Sequence, residues 1–289
     1  MGTTAARVPP ATVCRRYGPE ESQSMANLAL QSASTALTAL NTQLDVTAHN
    51  LANINTAGFK GSRVNFQDLL YVERAQPGVE NSVGDSRPIG LYVGLGVKVS
   101  GTQFDMGTGP ALTTNRPLDV MINGEGFFQF DIGDGRIGYS RAGNFVLNRD
   151  GEVVMASDPG RRLEPRINVG ENVEQIDISN DGRIYVLRAG ETEPEEVGRI
   201  ELATFANVAG LQPLGGNLLG ETAGSGPPVT GPAGEEHRGS LLQGMLEGSN
   251  VDPTRELIEL IRTQRAFEMN SQSIRAADET LRSVAQLRR

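Results

Sequence analysis

Two leucine seams, one near each end of the chain, most constrain what this sequence can fold into. Leu30, Leu37, Leu44 and Leu51 recur every seven residues, with Ala33, Leu40 and Ile54 in a second row three positions on. A sustained seven-residue apolar repeat marks a helix with one buried stripe. Thr47 interrupts the second row, Ala48 beside it acts as a substitute, and Gly58 follows as the expected terminator. The spacing predicts a helix over 26–54. Towards the other end, Leu260, Phe267, Ile274 and Leu281 repeat the period, flanked by Leu257, Ile261, Ala277 and Val284. Asp252-Pro253 opens that helix with an N-cap and a first-turn proline. Arg255/Glu259 and Arg275/Glu279 are spaced to pair along one face, each pair contributing about 0.2–0.5 kcal/mol. Matching seams let the two helices pack on each other as a coiled-coil-like stem.

The first helix has an unusual surface. Ser32, Ser34, Thr35, Thr38, Asn41, Thr42, Gln43, Asn50 and Asn53 lie off the seam, and Asp45 is its one acid after Met25. A solvated helix face normally carries Lys, Glu and Arg. Amides and hydroxyls suit a helix surrounded by other protein, because no charge has to be desolvated. The charge is elsewhere. The 289 residues hold 26 Lys+Arg against 35 Asp+Glu, a net charge of −9. Residues 62–249 alone hold 15 basic and 26 acidic side chains, or −11, so both ends are nearly neutral. An acidic chain of this kind argues against a nucleic-acid partner.

Between the helices the period changes. Asp119-Val-Met-Ile-Asn123, Gly126-Phe-Phe-Gln-Phe130, Asn144-Phe-Val-Leu147, Gly182-Arg-Ile-Tyr-Val-Leu187 and Arg199-Ile-Glu-Leu-Ala-Thr-Phe205 are short runs bounded by turn residues. Asp134-Gly135, Asp150-Gly151 and Asp181-Gly182 supply the positive-φ positions that tight hairpins want. Residues 115–210 therefore read as an antiparallel β domain. Residues 62–114 read as an extended linking segment and 211–249 as a turn-rich return without a strand period. The first assembly helix falls within 25–61 and the second within 250–289. The fold class is α+β: terminal helices around a central, mostly antiparallel β domain.

Little in the chain suits catalysis. Gly94-Leu-Gly96 and Gly124-Glu-Gly126 do not complete a phosphate loop or open a helix, and read as glycines where strands begin. Asp131-Ile-Gly-Asp134-Gly lacks the spaced oxygen ligands of a calcium loop. Glu195-Glu196 and Glu235-Glu236 lie in polar stretches, and with no Trp there is no sugar-stacking cleft to set such carboxylates to work. One cysteine, Cys14, excludes an internal disulfide, and two histidines leave little for a metal site. No enzyme, cofactor or metal is expected.

At this point motifs match a known family. Asn50-Leu-Ala-Asn53-Ile-Asn-Thr-Ala-Gly58-Phe59-Lys60 resembles the N-terminal signature of the flagellar rod and hook proteins. Ser249-Asn250-Val251-Asp252, with Glu256-Leu257 and Arg265-Ala-Phe267-Glu-Met-Asn270-Ser271, resembles their C-terminal signature. Gly124-Glu-Gly126-Phe-Phe128 and Tyr139-Ser-Arg141-Ala-Gly143-Asn-Phe145 are similar to the start of the family's β domain. The resemblance runs from Met25 to about Leu287. Phe66-Gln-Asp68-Leu-Leu-Tyr71, Gln76-Pro77-Gly78 and Gly90-Leu-Tyr-Val-Gly94-Leu-Gly96-Val97 resemble the stretch particular to the distal-rod branch.

The resemblance implies a structural subunit polymerising into a stiff tube, with no cofactor. Assembly would run through Leu30, Leu37, Leu40, Leu44, Asn50, Leu51, Asn53, Gly58 and Phe59, and through Asn250, Val251, Leu257, Leu260, Phe267, Asn270, Ile274 and Leu281. Residues 71–90, with Tyr71, Gln76, Pro77 and Gly78, would stiffen the tube, being mobile in a free monomer and ordered only by neighbours. Implied partners are further copies, proximal rod proteins, the hook protein, the P- and L-ring proteins and the flagellar export apparatus. The implied location is the flagellar basal body, reached without a cleaved signal peptide. The alternatives are a proximal-rod protein and a secreted β-domain adhesin with dimerising helices. Residues 1–24 have no family counterpart; a start codon assigned too far upstream is expected, leaving a non-native or disordered extension.

Overall fold

The computed structural model describes residues 19–287 apart from 79–87, 134, 171 and 192; residues 1–18, with Cys14, lie outside them. The chain divides into two compact units. One comprises residues up to 41 with 66–99 and 264–289; the other comprises 42–65 and 100–263. Helix α1 runs Pro19–Ala52 and helix α2 runs Pro253–Leu287. Both predicted helices are therefore present, the first extending upstream of Met25.

The larger unit is built on one antiparallel sheet. Its strand order is Gln212–Gly215, Leu218–Gly220, Arg136–Ser140, Phe127–Gly133, Glu201–Thr204 and Val229–Pro232, with Leu163–Glu164 added to Phe127–Gly133. Alternation along Phe127-Phe-Gln-Phe130 places Phe128 and Phe130 in the main core with Val120, Ile122, Phe145, Leu163 and Leu202. Phe127 instead joins Tyr139, Ala203, Phe205 and Leu211 in a second cluster. Both faces of the strand are buried, which is why the run is aromatic on consecutive positions. The Phe128 and Phe145 rings meet edge-on at 5.1 Å.

The Asp-Gly turns fall where expected: Gly135, Gly151 and Gly182 have φ of +70°, +75° and +88°, each between paired antiparallel strands. The return does not. Residues 211–249 contribute five strands rather than unstructured turns, and Ser240–Gln243 pairs with Val120–Asn123 while Met245–Glu247 pairs with Ala111–Thr113. The linking segment likewise carries strands, Ser62–Asp68, Tyr71–Ala75, Leu91–Gly94, Val97–Phe104 and Ala111–Thr113.

Tyr139 is buried, and burial together with the Glu221 carboxylate pushes its hydroxyl up to about 12. The sign is fixed by linkage: a tyrosine raised on folding contributes stability present below its unfolded value of about 10 and lost as pH climbs through the folded value. Absorbance titration at high pH should show a late-ionising component that a Tyr139→Phe variant lacks. Identical titration of the two chains would contradict this burial.

In the smaller unit, Leu30, Leu37 and Leu40 on α1 and Phe267, Asn270, Ile274 and Leu281 on α2 are half-buried. The uncharged α1 face is partly used by the chain itself. The Thr35 hydroxyl donates to the Ser32 carbonyl at 2.9 Å and accepts the Val97 N–H at 3.3 Å. Gly96, at φ +115°, lies so close that any Cβ would strike Thr35. Strands Tyr71–Ala75 and Leu91–Gly94 form an antiparallel hairpin, and the segment between them includes the undescribed 79–87.

At α2 the cap is as expected, Asp252 accepting the Thr254 N–H at 2.9 Å. The predicted surface pairs are replaced by others. Glu259 meets Arg262 at 3.9 Å and Asp278 meets Arg282 at 2.8 Å. Both place the acid N-terminal to the base, the orientation that suits the helix dipole, whereas Arg255/Glu259 and Arg275/Glu279 reverse it.

Candidate functional site

Asn50–Lys60, the stretch around Arg141 and Ser249–Asp252 meet in the larger unit, where α1 ends. The helix stops at Ala52, and the Asn53 side chain closes the last turn by donating to the His49 carbonyl at 2.9 Å. The Thr56 hydroxyl then donates to Asn53 Oδ1 at 3.2 Å, and the Phe59 N–H to the Thr56 carbonyl at 3.2 Å. Gly58 lies six residues beyond the helix and does not terminate it. It has φ +68°, and a Cβ there would come within 2.5–2.9 Å of the Arg141–Ala142 backbone. Glycine is required by both conformation and contact.

Two asparagines sew the strands together. Asn50 donates to the Ser62 carbonyl at 2.8 Å and accepts the Ser62 N–H at 3.0 Å, imitating a strand partner. Asn250 accepts the Gly61 N–H at 2.7 Å and donates to the Asp105 carbonyl at 2.7 Å. Its own N–H donates to the Phe59 carbonyl at 3.3 Å. Val251 packs beside Gly61, where a Cβ would sit 3.2 Å from Val251 Cγ2. Burial holds the Glu256 carboxyl above its usual value, and a hydrogen bond with Asn50 partly offsets this.

Beneath these bonds lies a buried ionic cluster. Lys60 Nζ contacts Glu247 Oε1 at 2.6 Å and donates to the Gly107 carbonyl at 2.7 Å. The Gly109 N–H donates to the same carboxylate oxygen at 2.9 Å, and the Gly58 N–H to the Glu247 carbonyl at 2.7 Å. Arg141 Nη1 stands 3.5 Å from Glu247 Oε2, with the guanidinium 5.2 Å from the Phe127 ring centre. The Glu247 side chain is fully buried. Burial lowers Lys60 and Arg141 below their ordinary values, against the pull of Glu247.

Such a cluster ties three distant stretches of chain to one point. Among the described residues no group of three or more His, Cys, Asp or Glu could hold a metal ion.

A cleft of about 360 Å³ opens on the cluster, lined by His49, Asn53, Phe59, Phe104, Phe127 and Arg141 among others. Of the expected site residues, Asn50, Asn53, Gly58, Phe59, Asn250 and Val251 converge here. Leu44, Leu51 and Leu260 are half-buried in the same unit and Leu257 is exposed. Tyr71, Gln76, Pro77 and Gly78 belong to the smaller unit and are exposed at its hairpin. Sequence reasoning missed Glu247 and Arg141 as site residues. Lys60 carried a usable signal, being the only lysine or arginine between 25 and 61.

Comparison with known proteins follows the same three stretches. Residues 30–60 match a family described as flagella basal body rod protein. Residues 121–186 match the flagellar hook protein FlgE/F/G D1 domain, and 242–287 the flagellar basal body rod FlgEFG protein C-terminal region. The flagellar basal-body rod protein FlgG of Caulobacter vibrioides is 40% identical over 261 residues, covering 90% of this chain and 99% of that relative. That of Bacillus subtilis is 36% identical over 253 residues, covering 86% and 94%. The flagellar basal-body rod protein FlgF of Caulobacter vibrioides is 33% identical over 257 residues, covering 86% and 92%. With relatives matched along nearly their whole length, the chain belongs to the flagellar basal-body rod protein family.

Proposed function

We propose that this chain is the structural subunit of the distal rod, polymerising into a rigid helical tube that carries torque from motor to hook. The observation that carries the reading is the joint at the end of α1. There Lys60, Arg141 and Glu247, one from each of the three matched segments, meet in a single buried ionic cluster, a fixed point suited to bearing load. The distal assignment rests on the 66–97 stretch and on two relatives from one organism. In Caulobacter vibrioides the FlgG protein is 40% identical and the FlgF protein 33%.

In this reading one repeated, non-closing interface between copies generates the filament. The seams Leu30/Leu37/Leu44/Leu51 and Leu260/Phe267/Ile274/Leu281 pair as a coiled-coil-like stem forming the inner tube, and the acidic β domain faces outwards. Proximal rod proteins, the hook protein and the P- and L-rings are the neighbours, and the export apparatus delivers the chain unfolded without a cleaved signal peptide. Deleting the gene should leave the inner-membrane ring of the basal body and remove hook and filament. An intact filament in the deletion strain would overturn the assignment.

A further inference from the structure

Arg141 is buried yet poorly satisfied. It is 7% exposed, and its Nε and Nη1 have no hydrogen-bond partner. Its nearest acid is Glu247, whose Oε2 stands 3.5 Å from Nη1 and is itself without a hydrogen bond. The other oxygen of that carboxylate is taken by Lys60 at 2.6 Å. Two buried cations therefore draw on one buried acid; Glu125, which also acts on Arg141, is exposed. A buried guanidinium short of acceptors is costly, and an anion supplied from outside relieves it.

Arg141 lines the cleft at the end of α1, which has about 360 Å³ of space, within the roughly 300–1,000 Å³ of small-molecule sites. The walls are preformed. The hairpin turn at Gly216-Asn217 is tied across the cleft by Asn217 Nδ2, which donates to the Ala57 carbonyl at 3.2 Å. The Ser140 hydroxyl holds the same turn by donating to the Asn217 carbonyl at 2.7 Å. Phe59 and Phe104 present half-buried rings to the space, and His49 tilts against Phe59 with ring centres 5.6 Å apart. Arg141 lies over Phe127, 5.2 Å from its centre, and the absence of hydrogen bonds at Nε and Nη1 leaves the fork free to turn towards the cleft.

We propose that this cleft binds a small monocarboxylate with an apolar or aromatic body, its carboxylate on Arg141 and its body against Phe59 and Phe104. The planar fork of a guanidinium matches a carboxylate in two parallel hydrogen bonds. Two buried positive charges against one negative leave a single charge to balance, which suits a monoanion. The phenyl walls offer the rest of the ligand no hydrogen bonds, which disfavours an inorganic anion. The site goes beyond the rod reading and does not depend on it.

The test titrates the soluble full chain with benzoate, followed by saturation-transfer NMR. Benzoate should saturate with a dissociation constant on the order of 1 mM. Benzyl alcohol should bind at least about tenfold more weakly, and equimolar inorganic phosphate should not displace benzoate. Arg141→Lys keeps the charge and loses the fork, so it should weaken benzoate about tenfold. Should that variant not fold, Phe104→Ala decides, with an expected loss of about threefold or more. No saturable benzoate binding, equal binding of benzyl alcohol, displacement by phosphate, or unchanged affinity in a folded variant would each overturn the proposal. None of these results touches the rod reading, which stands or falls with the deletion strain.

Discussion

Replacing Glu247 with alanine should destabilise the larger unit by about 3–5 kcal/mol, because it strands two buried cations with no buried partner. The carboxylate has three attachments: Lys60 at 2.6 Å, Arg141 at 3.5 Å and the Gly109 N–H at 2.9 Å. Glu247→Gln keeps the shape and an acceptor for Gly109 but not the charge, so it separates the two contributions. It should fall between wild type and alanine in chemical denaturation. Replacing Lys60, Arg141 and Glu247 together with apolar residues of similar volume should cost far less than Glu247→Ala, since the desolvation of all three charges is then avoided. The comparison tells whether the cluster is kept for stability or for fixing one geometry. If Glu247→Ala unfolds at the same denaturant concentration as wild type, the ionic cluster is not what holds the joint.

How far the sequence reveals this architecture depends on how local each signal is. The heptad leucines, the Asp252-Pro253 helix start and the Asp-Gly turns are each complete within a few residues, and all three appear in the structure where they were expected. The strands of 211–249 are different. They are three or four residues long, shorter than a window that could show a period, and their partners are remote: Leu241 faces Ile122, Leu246 faces Leu112 and Gly231 faces Leu202. Glycine and proline between them gave only the turn signal. The ionic joint was the least visible of all, because Lys60 and Glu247 are 187 residues apart in sequence. Arg141 lay inside a quoted motif and Glu247 two residues before another, yet nothing local distinguishes a buried arginine from a solvated one. Gly58 was singled out for the wrong reason: it looked like a helix terminator and is instead where two backbones nearly touch.

Introducing aspartate at both Leu37 and Leu44 should abolish motility while leaving the β strands of the larger unit folded. Both side chains are half-buried, so each substitution forfeits only part of the roughly 1.5–3 kcal/mol that full burial of a leucine contributes. What amplifies the effect is repetition, since in a filament the same damaged surface recurs at every subunit. The seam is also poorly placed to tolerate charge. Asp45 is the one acid of α1 after Met25 and the surrounding face is hydroxyl and amide, so α1 itself offers no arginine or lysine to pair with a new carboxylate. The expected phenotype is loss of hooks and of swimming, with the thermal transition of the purified chain retained. The core of Phe128, Phe130 and Phe145 lies outside α1 and does not depend on the seam. A β-domain binding module would behave in the opposite way, because its activity would survive with its strands. Motile cells carrying both aspartates would show that the α1 seam is not an assembly surface.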